Sequence, residues 1–261
     1  GFHVITTSDY MSRIRGGHNS FAIRFGERPL RGPCDRVHLL LAFDGESIDA
    51  HGQEMVPGGL VVMDESLGRL AGRVEQAGLQ ALVVPLEKMA EQVGGSKLMA
   101  NTMALSLAMG LMGLPLHTVE QVIQENFGRK RGGALAEANL KVARAGYELG
   151  CTQFAGRFPW RLNPPAPDGQ RRILISGNQA LGLGSLAAGC RFIAAYPMTP
   201  GTSILEWMTA KSKQLGIVTK HMEDEIGAIC AAIGAAHAGV RAMTTTSGGG
   251  FSLMVEALGL A

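Results

Sequence analysis

The sequence predicts an α/β fold with parallel sheets, divided between two domains, and three observations predict it. Three short β-rich runs, at 192–195, 217–221 and 240–245, each stop at a loop from which a helical pattern begins, the alternation that builds a parallel sheet. Two earlier runs, at 37–43 and 59–63, are apolar without alternation, as expected of strands covered on both faces. Between these sets, FPWRLNPPAPDGQRR carries four prolines and little periodicity. The stretch 151–171 therefore reads as a semi-rigid linker joining domains at 1–150 and 172–261.

In chain order, 3–7 is predicted as a strand and 9–17 as a loop, with Arg13, Arg15, His18 and Asn19 gathered around the pair Gly16 and Gly17. Guanidinium and imidazole donors beside glycines suit a phosphate or carboxylate; a solvated β turn explains the same residues. Strands follow at 20–25, 37–43, 59–63 and 80–85. Helices are expected at 97–114, from Thr118 with Gln121 at capping-box spacing, and at 135–150. Arg129, Lys130 and Arg131 read as a solvated helix end. In the linker, Trp160 is an anchor for a neighbouring surface. A strand is expected over 172–176, where ILIS opens the second domain.

Three loops of that domain carry the chemistry. In YPMTPGTS, Pro197 and Pro200 stiffen the chain around Thr199, the single side-chain hydroxyl between them. Ser203 and Glu206 have capping-box spacing for a helix ending near Gly216. In MEDE, Glu223, Asp224 and Glu225 crowd a helix N-terminus, where the macrodipole favours negative charge. The small apolar residues of 226–238 predict a buried helix, and Glu225 abuts it, which makes it the candidate proton donor, with Glu223 the alternative. TTTSGGG offers Thr246 and Ser247 hydroxyls, and Gly248 and Gly249 let backbone N–H groups approach a ligand. Ligands of parallel sheets bind beyond the carboxyl ends of the strands, so these loops should converge on one site.

At 261 residues the chain suits about two domains. Lys plus Arg number 24 against 22 Asp plus Glu, which argues against a nucleic-acid footprint. No apolar run has the length of a membrane span, no leader pattern opens the chain, and a cytoplasmic location is expected. Cys34, Cys151, Cys190 and Cys230 form no C-x-x-C pair, so neither an iron–sulfur nor a zinc site is expected here.

Taken as an ordered set, GNQALGLGSLAAGCRFIAAYPMTP at 177–200, EDE followed by small residues at 223–236, and VRAMTTTSGGGFSLMVE at 240–256 resemble the α subunit of the 2-oxoacid:ferredoxin oxidoreductases. SRIRGGHNSF at 12–21 resembles the γ domain of the same enzymes, in the form that joins γ ahead of α. The resemblance implies a γ-type α/β domain followed by the start of a thiamine diphosphate pyrimidine-binding domain with a doubly wound parallel sheet. It further implies oxidative decarboxylation of a 2-oxo acid with transfer to coenzyme A and reduction of ferredoxin. Glu225 would hydrogen-bond the aminopyrimidine nitrogen, Thr199 would hold a substrate oxygen, and Tyr196, Pro197, Glu223, Thr246, Ser247, Gly248 and Gly249 would line the cofactor. The loop Arg13, Arg15, Gly16, Gly17, His18 and Asn19 would face substrate or coenzyme A. Mg²⁺, the diphosphate site and a [4Fe–4S] cluster would lie on a β subunit.

The γ-then-α order and RGGHN lean toward 2-oxoglutarate over pyruvate, while Gly201 departs from the serine that often follows YP-x-TP in the family. Both ends read as cut, GFHVITT resembling entry to a second strand and MVEALGLA stopping inside a helical pattern. Gly182, Gly184 and Ala187 form a G-x-G-x-x-A, but they fall inside the helix after ILIS, and no acidic residue tips the next strand. A nucleotide-binding reading is therefore disfavoured against close helix packing. A docking subunit without chemistry is the remaining alternative.

Overall fold

The computed structural model describes residues 2–10, 17–128, 133–163, 165–166, 169–170 and 172–261, and divides the chain into two compact units, 1–169 and 170–261. In the first unit, β1 (His3–Tyr10) and β2 (Asn19–Gly26) pair antiparallel from His3 opposite Gly26 to Tyr10 opposite Asn19. Asp9 and Tyr10, expected in a loop, belong to the strand, because the ladder with β2 continues through both. Next come β3 (Val37–Ala42), α1 (Gly45–His51), β4 (Met55–Asp64), α2 (Ala71–Gln76), β5 (Gln80–Val84) and α3 (Leu86–Gly94). The sheet β3-β4-β5 is parallel with β4 central.

The apolar run of β4 explains that position. Leu60 and Val62 enter one cluster, with Leu82, Val84, Leu86, Met103 and Leu107, while Val61 and Met63 enter another, with Ala42, Ile48 and Val74. All four are at most 1 % exposed. A strand whose alternate side chains feed two cores has no polar face to offer water.

Three helices complete the unit: α4 (Ala100–Met112), α5 (Leu116–Ile123) and α6 (Gly133–Cys151). The helix expected over 97–114 is preceded by a 3₁₀ turn at Lys97–Met99, and Gly113 ends it at φ 73°. The capping box at Thr118 and Gln121 does not form: Pro115, with φ −75°, already starts the helix, and Thr118 lies within it. Helices α4 and α6 approach closely through glycine. A Cβ on Gly110 or Gly146 would stand 2.5 Å from the carbonyl of Tyr147 or Met103. From the stretch read as a linker, Phe158 is 5 % exposed in the first core and Trp160 packs beside it, edge-on to His38.

Asp64 closes the carboxyl end of β4. Burial pushes its pKa up, but the N–H groups of Ser66 and Glu87, the Ser66 hydroxyl and the Leu86 N–H outweigh this and hold it below its ordinary value of 3.8. A carboxylate depressed in the folded state contributes stability that is complete above its unfolded pKa and is lost as pH falls through the folded value. Asp64→Asn is expected to cost about 1–3 kcal/mol at pH 7 and to flatten the loss of stability below about pH 4. Urea midpoints at pH 7 and pH 3 measure this; an equal shift at both would show that the charge contributes nothing.

The second unit begins with α7 (Gly177–Ala187), then β6 (Phe192–Ala195), α8 (Thr202–Leu215), β7 (Val218–His221), α9 (Glu225–His237), β8 (Ala242–Met243) and α10 (Gly248–Leu260). The sheet is parallel in the order β7-β6-β8. The strand expected over 172–176 is absent. Ile173 and Leu174 are each 70 % exposed and have no ladder partner, so apolar composition finds no neighbour to pair with. A full capping box between Ser176 and Gln179 starts α7 instead. Gly182 lets α7 meet α8, since a Cβ there would stand 2.8 Å from the Trp207 ring.

The capping box expected at Ser203 and Glu206 is also absent: Gly201 precedes the helix without a side-chain bond. Gly216, at φ 63°, ends α8 as its position suggested. Helix α9 corrects the expectation of a fully buried helix. Glu225, Ala228 and Ile229 form its buried stripe, while Ile226 is 49 % exposed. No helix among the described residues is long and apolar enough to cross a membrane.

Candidate active site at the carboxyl ends of β6, β7 and β8

Each of the three strands of the second unit delivers its loop to the same edge of the sheet. After β6 the chain runs through Tyr196, Pro197 and Met198 to a cis Thr199–Pro200 bond and Gly201. Asn178, at the start of α7, clamps this loop by donating to the Pro200 carbonyl at 2.8 Å and to the Ser203 hydroxyl at 2.6 Å. That draws Ser203 away from a capping role. After β7, the Met222 N–H donates to the Ala195 carbonyl at 3.0 Å, holding the acidic turn against β6. Asp224 is the N-cap of α9 and accepts from the Gly227 N–H at 2.6 Å.

The cap sorts the three carboxylates. Asp224 turns back onto the helix end, Glu223 stays exposed, and Glu225 is directed inward with 5 % exposure. Among the described residues no cation pairs with it. A buried carboxyl without a partner charge is costly and is a mark of sites that bind or move protons.

After β8, Ser247 Oγ donates to the Thr199 carbonyl at 3.0 Å, and the Thr246 hydroxyl lies 3.9 Å from Met198 Sδ. A Cβ on Gly201 would stand 3.3 Å from the Thr246 carbonyl and 3.4 Å from that of Met198. The smallest residue at 201 thus allows the two loops to lie against each other. The structure brings together Thr199, Thr246, Ser247 and Glu225. Tyr196, Pro197, Gly248 and Gly249 are exposed around them.

A cleft of about 710 Å³ adjoins this cluster and shares Gly201 and Thr246 with it. Its other walls come from α7 at Gly177, Ala180, Leu181 and Gly184, and from Thr244 and Thr245. Glu225 and Thr199 are not part of its lining, so the cleft and the carboxyl are neighbouring features rather than one pocket. The hydroxyls of Thr244 and Thr245 are buried without a hydrogen-bond partner, a state that a polar ligand or water would relieve. Sequence reasoning missed Asn178 and, within TTTSGGG, did not single out Thr244 and Thr245; the GN pair that opens α7 was the available signal for the first.

These residues fit the pyrimidine end of thiamine diphosphate: an inward carboxyl, unpaired hydroxyls and glycine backbone at one sheet edge. Among the described residues no group of three or more His, Cys, Asp or Glu could hold a metal ion.

In the first unit, Arg13, Arg15 and Gly16 lie outside the described residues, whereas Gly17, His18 and Asn19 are described. His51 Nδ1 is 3.0 Å from Glu54 Oε2, and His51 Nε2 is 2.8 Å from His18 Nε2. His18 Nδ1 is buried and has no hydrogen-bond partner among the described residues.

The sequence profile of the family described as "Pyruvate ferredoxin/flavodoxin oxidoreductase" matches residues 1–149, and that described as "Pyruvate flavodoxin/ferredoxin oxidoreductase, thiamine diP-bdg" matches 183–261. The 2-oxoglutarate oxidoreductase subunit KorA of Mycobacterium tuberculosis is 33 % identical across all of this chain and 44 % of its own length. The 2-oxoglutarate synthase subunit KorA of Methanothermobacter thermautotrophicus is 55 % identical over 87 residues, 33 % of this chain and 23 % of its own length. The solved 2-oxoglutarate:ferredoxin oxidoreductase from Magnetococcus marinus, with 2-oxoglutarate, coenzyme A and succinyl-CoA bound, superposes with a TM-score of 0.88 at 30 % identity, over all of this chain and 45 % of that one. This chain thus spans less than half the length of these relatives. With the first profile covering more than half of the sequence and the second covering the three loops of the site, the chain belongs to the pyruvate ferredoxin/flavodoxin oxidoreductase family of 2-oxoacid:ferredoxin oxidoreductases.

Proposed function

We propose that this chain supplies a γ-type domain (1–150), a proline-rich linker (151–171) and the pyrimidine-binding domain (172–261) of an enzyme that oxidatively decarboxylates 2-oxoglutarate. Coenzyme A takes the acyl group, giving an acyl-CoA and CO₂, and two electrons pass one at a time to ferredoxin. The observation that carries this reading is the buried, cation-free Glu225 carboxyl among Thr199, Thr246 and Ser247, within the segment matched by the thiamine diphosphate-binding profile. The 2-oxoglutarate named for both KorA relatives and for the Magnetococcus enzyme supports the substrate.

When bound, thiamine diphosphate supplies the electron sink that makes loss of CO₂ feasible. Glu225 holds a proton against the aminopyrimidine nitrogen, and its burial keeps water from competing for it. The Thr199 hydroxyl, exposed on the loop that Ser247 fastens, orients a substrate oxygen. Tyr196, Pro197, Gly248 and Gly249 would line the cofactor's pyrimidine ring, with the exposed Glu223 beside them. The half-exposed apolar side chains Ile226 on α9 and Phe251, Leu253, Val255 and Leu258 on α10 form the face for a β subunit. That subunit holds Mg²⁺, the diphosphate and a [4Fe–4S] cluster, and the assembly works in the cytoplasm.

Reduction of ferredoxin by the full-length protein with its cluster-bearing partner, assayed with 2-oxoglutarate and with pyruvate in the presence of coenzyme A, tests the reading. Activity on 2-oxoglutarate at least tenfold above that on pyruvate is expected; a preference for pyruvate would overturn the substrate. In the same assay Thr199→Val keeps shape and removes the hydroxyl, at an expected cost of about 1–3 kcal/mol in kcat/KM. Unchanged kinetics would reduce Thr199 to part of a turn.

A further inference from the structure

Of the three glycines that open α10, only one is required by its surroundings. A Cβ on Gly248 or on Gly249 would meet nothing within 4 Å. A Cβ on Gly250 would stand 2.7 Å from Glu225 Oε1 and 2.9 Å from its Cγ, and closer still to Thr246 Oγ1. Gly250 is buried, and its backbone has ordinary helical geometry, because the positive-φ glycines of the chain do not include it. The requirement is therefore for space, not for conformational freedom. Glycine is held here against its poor helix propensity, in a turn that alanine would favour.

We propose that Gly250 is a positioning residue for Glu225: the missing side chain on the first turn of α10 makes the seat in which the carboxyl lies. The proposal rests on the reading of Glu225 as the acid of the site. Asp224 orients the start of α9 from outside by capping it, and Gly250 receives the neighbouring carboxyl from inside. Together they select Glu225 over Glu223. With a methyl group at 250 the two neighbours respond differently. The Thr246 hydroxyl can turn about one bond, since among the described residues its hydrogen bonds are long, to Met198 Sδ at 3.9 Å and the Ser247 carbonyl at 3.5 Å. The Glu225 carboxyl, at the far end of a flexible side chain, must swing out of its buried position.

The test uses the full-length protein with its partner. Gly250→Ala is expected to lower kcat at least tenfold, while Gly72→Ala, in α2 where a Cβ meets nothing within 4 Å, leaves it unchanged. Glu225→Asp shortens the acid by one methylene, so in the Gly250→Ala background it should restore part of the lost turnover, although in the wild-type background it lowers it. A second readout needs neither cofactor nor activity. In the cofactor-free protein, Gly250→Ala should lower the melting temperature by about 2–4 °C, and should lower it less, or raise it, when Glu225 is already alanine. An equal shift in both backgrounds would assign the conflict to Thr246 and overturn the proposal, as would full turnover in Gly250→Ala. If Glu225→Gln leaves turnover intact, the reading of Glu225 as the acid falls, and the melting cycle then decides the steric coupling alone.

Discussion

Replacing Glu225 with glutamine is expected to lower turnover of the assembled enzyme by about 10²-fold or more, the range typical of lost acid–base catalysis. Yield and subunit assembly should be nearly unchanged. The substitution keeps the side chain's length and shape in the seat against Gly250 and Thr246, so packing does not confound the result. It removes the proton that the site is proposed to hold, and with it the one buried carboxyl among the described residues of the second unit. Stability points the other way from activity. A buried carboxyl without a cation partner is costly when ionised, so the neutral amide should melt no lower than the wild type. Equal activity in mutant and wild type would remove Glu225 from the mechanism.

Thiamine diphosphate with Mg²⁺ is expected to bind this chain alone weakly or not at all, and to bind after a cluster-bearing subunit is added. In the proposed reading the chain offers the pyrimidine end through Glu225, Thr199 and the 246–250 turn. Much of the attraction for such a cofactor is electrostatic, between the diphosphate, its metal and oxygen ligands. The described residues contain no cluster of three metal-capable side chains to begin such a site. Calorimetric titration measures the outcome. Micromolar affinity of the isolated chain would contradict a site divided between subunits, and affinity appearing only with the partner would support it. Covering the exposed faces of α9 and α10 should accompany assembly and would be visible as slowed amide exchange at Phe251, Leu253 and Val255.

What was legible in the sequence is what local rules carry. The unbroken apolar run of β4 announces a strand between two cores, and the structure divides Leu60 and Val62 from Val61 and Met63 accordingly. Asp224 before a small apolar run announces the start of α9, and Gly216 after a helical pattern announces the end of α8. Each signal lies within a few residues of its effect, because a strand's period is two, a helix's is 3.6, and a cap reaches three residues. The order of three strand-to-loop transitions likewise sufficed to gather 196–201, 223–225 and 246–249 at one edge of a parallel sheet.

Tertiary structure decided the rest. ILIS has the composition of a strand but no partner, and Ser203 has the spacing of a cap but is held by Asn178, 25 positions earlier. GGG reads as one flexible run, yet Gly248 and Gly249 face open space while Gly250 meets a carboxyl from another helix. The bond between His18 and His51 joins residues 33 positions apart, just before a strand and at a helix end, that share no period. Contacts of this kind depend on where distant segments come to rest, and a strand, a cap or a glycine is satisfied or displaced only once its neighbour in space is known.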